Sequence, residues 1–430
     1  MILRFSVLAA AALAAAAPAA AQEVAVIAVP PLATPADKPT PAGSTLSLAW
    51  QATQLIAQDL RSTSDLLALP TDQKDFYSYP EVTAPTFSRW RAKGAKAVLT
   101  GFIQAREDGR LTVGCYVYDV EKGRELGRTG FIAAPEDWRR AAHKCSGLAY
   151  KSLTGAPGTF DTRIAYVAGT GFGAAQVRRI AVMDSDGNNH TFLTDGGPTI
   201  MTPRLSPAGN GLAYVTFEGG QPNVRIIDIA SKQQRPLLPG VAAATFSPGF
   251  SPDGNRIAFA MANGGNTDVY VVPSNGGIPQ RLTTSPGVDT DPSFSPDGSK
   301  ILFESDRSGS QQLYVMNADG SGQRRVSFGG AAYAAPQWSP DGEWLSFTRR
   351  AADGLRIGIV KADGRDERIL TSGSRDEGAN WAASSRELIF QRTEPSGASA
   401  IYRVNISGGE PRKVLIPQEG FDPDWSGTRD

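Results

Sequence analysis

The sequence predicts a two-domain α+β chain: a small α/β domain followed by a six-bladed β-propeller that the C-terminal strand closes. Three observations carry this. A P-x-aromatic-S motif recurs at a near-constant period through the later part of the chain. Each full copy leads into further strand-like segments separated by turn residues. The repeat region also opens on a second strand and finishes on a first one, the arrangement that lets two chain ends close a ring.

Composition narrows the class first. A chain of 430 residues with 41% hydrophobic and 20% charged residues has ample material for a core, which excludes a disordered chain. Lys+Arg 43 against Asp+Glu 43 leaves no basic field of the kind that drives general nucleic-acid binding, so no nucleic-acid partner is expected. Two Cys and two His rule out zinc-finger, iron–sulfur and His-rich metal architectures.

Residues 1–21 read as a secretory signal. Arg4 supplies the positive start, an apolar run follows, and Ala19-Ala20-Ala21 provides an A-x-A cleavage site. The run is shorter than the about 18–20 residues of a spanning helix, and no later segment reaches that length, so the mature chain is expected to lack a transmembrane segment. No Cys follows the cleavage site to take a lipid anchor. Export makes Cys115 and Cys145 candidates for a disulfide, the alternative being two buried free thiols.

The α/β domain is assigned to residues 22–155. A β-branched run at 24–29 ends at Pro30-Pro31. Ser44 then caps a helix over 45–62, where Leu48, Ala52, Leu55, Ile56 and Leu60 recur at helical spacing. A second helix over 87–93 stops at Gly94, and strands follow at 97–103 and 110–120. The turns Asp108-Gly109 and Lys122-Gly123 suit a meander. A helix over 136–153 closes the domain.

The propeller is assigned to residues 156–430. Ser206, Ser251, Ser295, Ser339, Ala382 and Ser426 mark the repeats, spaced 45, 44, 44, 43 and 44 residues apart. Full copies continue as S-P-D-G, a turn in which Pro presets φ, Asp bonds back to the backbone and Gly takes the unusual dihedral. The next-strand motif (Ile257-Ala258-Phe259, Ile301-Leu302-Phe303 and their equivalents) occurs six times from Ile164 onward, and the first-strand motif occurs six times ending at Trp425. The strand ending at Trp425 is therefore expected to complete the blade begun at Arg163. This closure removes open sheet edges.

Catalytic motifs are scarce. Gly169-Thr170-Gly171-Phe172-Gly173-Ala174 has the spacing of a dinucleotide loop, but a strand follows at 179–183 where a helix is needed, so it reads as a hairpin. No G-x-S-x-G exists, and His143 and His190 fall in different domains. Asp253, Asp297 and Asp341, like Asp186, Asp319 and Asp363, sit at repeated turns that turn chemistry explains. Asp289, Thr290 and Asp291, with Asp376 and Glu377, differ: they lie on loops that reach the ring axis, without the spacing of a calcium loop. No metal, cofactor or enzyme activity is expected. The competing classes are a propeller enzyme of lactonase or dehydrogenase type and a peptidoglycan- or carbohydrate-binding module. The latter would need exposed aromatics, and Trp338, Trp381 and Trp425 sit at repeat positions that suit inter-blade core.

The arrangement resembles the TolB family, periplasmic propeller proteins of the bacterial Tol–Pal envelope system. The resemblance rests on the P-x-W-S-P-D-G blades and, more specifically, on Val26-Ile27-Ala28-Val29-Pro30, Ala57-Gln58-Asp59-Leu60-Arg61 and Gly94-Ala95-Lys96-Ala97-Val98-Leu99-Thr100-Gly101. The joint from Leu153-Thr154-Gly155 to Thr162-Arg163-Ile164-Ala165-Tyr166-Val167 matches as well. The resemblance implies a non-enzymatic periplasmic adaptor that binds the peptidoglycan-associated lipoprotein Pal on one propeller face. It also implies exchange with TolA and support of outer-membrane integrity and constriction at cell division. Carried over by position, the Pal contacts fall on Met201, Thr202, Ser247, Thr290, Asp291, Tyr333, Asp376 and Glu377. The family's mobile N-terminal extension shrinks here to Gln22 and Glu23 before Val24, so contact with TolA is expected to differ.

Overall fold

In the computed structural model the described residues are 24–429, apart from 64, 172–175, 198 and 374. The expected export signal and part of the Gly169–Ala174 motif lie outside them.

The N-terminal domain is a five-stranded mixed sheet in the order Leu66–Ala68, Ala25–Ala28, Ala97–Ala105, Leu111–Asp119, Arg124–Ala133. The first three strands run parallel and the last three form an antiparallel meander. Helix α1 (Thr45–Ser62) starts where Ser44 Oγ accepts the amide of Ser47, a cap on an otherwise orphaned donor. Its stripe of Leu48, Ala52, Leu55, Ile56 and Leu60 is buried against the sheet together with helix α3 (Trp138–Thr154). Each large aliphatic side chain covered in this way contributes about 2 kcal/mol. The shorter α2 (Phe87–Ala92) covers the other face through Trp90, and the chain leaves it through Gly94 at φ 80°. Cys115 on the fourth strand and Cys145 on α3 are joined in a disulfide across a Cα–Cα distance of 5.8 Å. Closing a loop of this length stabilises a chain by about 3–4 kcal/mol in the chain-entropy account.

Residues from Arg163 onward build six four-stranded antiparallel sheets. Blade 4 is representative: Asp289–Phe294, Lys300–Ser305, Gln312–Asn317 and Arg324–Arg325, from the axis outward. The other inner strands are Ile200–Leu205 (blade 2), Thr245–Phe250 (blade 3), Ala332–Trp338 (blade 5) and Asp376–Trp381 (blade 6). Blade 1 takes its inner strand from the far end of the chain: Glu419–Trp425 pairs antiparallel with Arg163–Thr170. At the S-P-D-G turns Ser295 Oγ donates to Asp297 and accepts the amide of Lys300, while Gly298 sits at φ 69°. Ser251 and Ser339 repeat the arrangement. The large apolar residues of successive blades interlock between sheets. Trp381 and Trp425 are buried there as expected, whereas Trp338 is half-buried.

Because strands alternate in direction, one face of the ring carries the loops into the inner strands, and the opposite face carries the S-P-D-G turns and the outer hairpins. The N-terminal domain is tied to this second face. Arg386, in the blade 6 turn, reaches Asp65 at 3.2 Å, and Arg139 of α3 pairs with Asp186 in the outer hairpin of blade 1. Asp186 Oδ1 still takes the turn amide of Asn188, so turn chemistry alone accounts for only part of its role. Its other oxygen lies 3.3 Å from His143 Nε2, within ion-pair range but without the alignment of a hydrogen bond. The other ring nitrogen of His143 meets Asp59 of α1 at 2.8 Å. Burial opposes a charge on His143, yet the close carboxylate of Asp186 and the hydrogen bond and charge of Asp59 outweigh it and lift its pKa to about 9. Burial also works against Asp186, but the ion-pair contact with His143 and the hydrogen bonds from Asn188 and Arg139 hold it well below the usual carboxylate range. Asp59 is pushed up by burial.

Candidate functional site

The rim of the channel on the free face is built from one repeated irregularity. Every inner strand breaks register with its neighbour once. At each break one residue adopts the left-handed conformation: Thr202 (φ 47°), Ser247 (51°), Asp291 (49°), Ala335 (48°), Gly378 (67°) and Asp422 (47°). In five of the six a proline follows, Pro203, Pro248, Pro292, Pro336 and Pro423. Proline has no amide to give the ladder, so the bulge falls where a donor is missing. The result is six equivalent kinks around the mouth of the channel.

Side chains from the blade before hold several of these kinks. The amide of Ala335 donates to Glu304 Oε2 at 3.2 Å, that of Gly378 to Thr348 Oγ1 at 3.0 Å, and that of Asp422 to Gln391 Oε1 at 3.1 Å. Glu304, Thr348 and Gln391 each follow the buried Phe of the second strand, so the stitch is itself repeated. The amide of Thr202 reaches Asp422 Oδ2 at 3.1 Å. Glu304 is buried behind the rim. Burial first, and the nearby charge of Asp291 second, push its pKa up to about 8.

The eight residues carried over from the resemblance divide on this frame. Met201, Thr202, Ser247, Thr290, Asp291 and Glu377 lie at or next to the kinks and are half-buried at the mouth. Tyr333 and Asp376 do not reach it. They stand two residues before the kinks of their blades, and both side chains turn inward. Tyr333 is 1% exposed, stands edge-on to Phe347 and donates its hydroxyl to Glu367 at 2.9 Å. Asp376 is fully buried in a two-pronged pair with Arg392 at 2.6 and 2.8 Å, and Asp289 in blade 4 is held by a single contact from Arg307 at 2.8 Å. Position in the loop alone does not separate the two groups, because the bulge decides which side chains face out. Sequence reasoning also passed over Glu304, whose signal was an acid inside the apolar run Ile301-Leu302-Phe303-Glu304.

His143, Asp59 and Ser146 lie together, the residue types of a hydrolytic triad, but their geometry is structural. Ser146 Oγ donates to Asp59 Oδ2 at 2.6 Å rather than to the imidazole, and all three side chains are buried. His190 is engaged separately by Tyr166 at 2.8 Å. Among the described residues no group of three or more His, Cys, Asp or Glu side chains is placed to hold a metal ion, and no helix is long and apolar enough to cross a membrane.

A family model described as the TolB beta propeller domain matches residues 150–429, and one described as the TolB amino-terminal domain matches residues 19–126. The Tol-Pal system protein TolB of Zymomonas mobilis is 47% identical over 211 residues, 49% of this chain and 46% of that protein. Its counterpart in Rhizorhabdus wittichii is 46% identical over 191 residues, 44% of each chain. The matches thus span about half the length of these curated relatives. The crystal structure of TolB from Acinetobacter baumannii shares the fold, with a TM-score of 0.76 over 94% of this chain and 97% of that one, at 24% identity. Two domain matches in family order, covering most of the chain, place it: the chain belongs to the TolB family.

Proposed function

We propose that the protein is a non-enzymatic adaptor of the Tol–Pal system, exported to the periplasm, that binds the lipoprotein Pal on the rim of the channel. In this role it supports outer-membrane integrity and constriction at division, and TolA is a second partner. The observation that carries the reading is the ring of six kinks, on the face that the N-terminal domain leaves open. Stitches between blades hold the backbone there, so a partner meets a preorganised surface and ordering costs little on binding. Met201, Thr202, Ser247, Thr290, Asp291 and Glu377 are its contact residues, while Tyr333 and Asp376 support the rim from beneath.

The test is capture of Pal from envelope extract by the mature protein and by Thr290→Arg, with matching thermal melts to show that the variant is folded. Capture by the wild type and its loss in Thr290→Arg support both partner and face. Capture by both removes the rim assignment. Capture by neither removes the partner.

A further inference from the structure

The other end of the channel has a chemistry of its own. The six inner strands terminate at equivalent positions in Leu205, Phe250, Phe294, Trp338, Trp381 and Trp425. Together with the prolines of the S-P-D-G turns, these residues line a cavity of about 350 Å3. That volume lies within the range of small-ligand sites. Phe250 and Trp338 are the ring members left half-exposed.

Three polar side chains in this cavity have hydrogen-bonding capacity to spare. The amide of Gln337 makes no side-chain hydrogen bond among the described residues. Asn380 Nδ2 donates to Pro423 O at 2.7 Å, which leaves Oδ1 to accept. Arg204 donates to the carbonyl of its neighbour Pro203, at 2.9 Å, and its charge also serves the buried carboxylate of Asp424, which lines the same cavity and accepts the amide of Leu205. The indole N–H groups, by contrast, are spent: Trp338 on Gly342 O and Trp381 on Gln337 O, both at 3.1 Å, and Trp425 on Thr162 Oγ1 at 2.9 Å. The aromatics therefore offer ring surface and no donors.

We propose that this cavity binds a saccharide, the end of a short glycan chain. A sugar ring has an apolar CH face that stacks on Phe250 or Trp338. Its hydroxyls both donate and accept, and the primary amides of Gln337 and Asn380 do the same. Arg204 adds donors for a ring or acetamide oxygen. A proline-rich peptide fits less well, because its carbonyls need fixed aromatic donors and these are already engaged. The site lies at the opposite end of the channel from the rim and is independent of the Pal reading.

The test uses the mature chain with the β-1,4-linked tetramer of N-acetylglucosamine, followed by tryptophan fluorescence and saturation-transfer NMR, with a proline decapeptide as the second arm. The tetramer is expected to quench fluorescence saturably, and Gln337→Ala and Arg204→Ala each to weaken binding about tenfold. Capture of Pal is expected to be unchanged in Gln337→Ala. The proposal is overturned if the folded wild type does not respond to the tetramer, if neither substitution weakens the response, or if the decapeptide binds and the sugar does not.

Discussion

The indole Nε1 of Trp425 donates to Thr162 Oγ1 at 2.9 Å, joining the last strand of the chain to the residue just before the first strand of the ring. Ser426 reinforces the joint: its Oγ accepts the amide of Arg163 at 2.8 Å, and its amide donates to Arg163 O. Trp425→Ala removes the hydrogen bond and opens a cavity in the packing between blades 6 and 1, at a cost of about 3–5 kcal/mol. Hydrogen exchange should show Arg163–Thr170 losing more protection than Lys300–Ser305. Equal loss in both strands would mean that the joint is not a local closure.

Glu304 makes stability depend on pH in a definite direction. Its carboxyl binds a proton more tightly in the folded rim than in the unfolded chain, with a pKa of about 8 against an ordinary 4.5. The stabilisation it gives is complete below the unfolded value and is lost as pH rises through about 8. Glu304→Gln keeps an oxygen for the amide of Ala335 and removes the titration. Thermal melts should fall between mildly acidic and mildly alkaline pH in the wild type and fall less steeply in the variant. Parallel curves would sink this account.

The joint between the domains has the window expected of a charged histidine. Protonated His143 separates Asp59 from Asp186, and its contribution is full below 6.5 and lost as pH rises through about 9. Asp186, with a depressed pKa, contributes above its unfolded value near 3.8 and loses that contribution on acidification. Proteolysis of residues 155–162 should therefore quicken between about pH 8 and about pH 10. In Asp186→Asn it should already be fast at neutral pH. A variant as resistant as wild type would show that the joint does not depend on this pair.

Gly378 is the one kink without a side chain. A Cβ there meets nothing within 4 Å, so Gly378→Ala carries only the conformational penalty, about 1 kcal/mol. The reverse change in the preceding blade, Ala335→Gly, relieves that penalty but frees the unfolded chain, and the two nearly cancel. Chemical denaturation should therefore show a clear loss for Gly378→Ala and little change for Ala335→Gly.

The blade period was legible because each S-P-D-G turn needs particular residues for particular dihedrals, and α1 was legible because Ser44 and the Leu48–Leu60 stripe state its start and its face. The strand Leu66–Ala68 was not, since three residues are too few for a period to emerge. Helix α3 begins at Trp138 rather than 136, because Pro135–Asp137 first form a tighter turn. The burial of Tyr333 and Asp376 was hidden for a related reason. A bulge shifts the alternation of a strand, and the sequence marks the kink only by the proline that follows it in five of the six blades. The His143–Asp186 contact joins residues 43 apart in different domains, beyond the reach of any local pattern.

Blade 1 has an awkward timetable. Three of its strands are the first part of the ring to be synthesised, yet their partner Glu419–Trp425 is among the last segments made. Until it arrives, Arg163–Thr170 waits as an unpaired edge rich in buried-type residues, the kind of template on which chains aggregate. Folding that ends in so distant a pairing is slow by topology alone. The same joint that seals the mature ring therefore leaves the nascent chain with an open edge until the final strand docks.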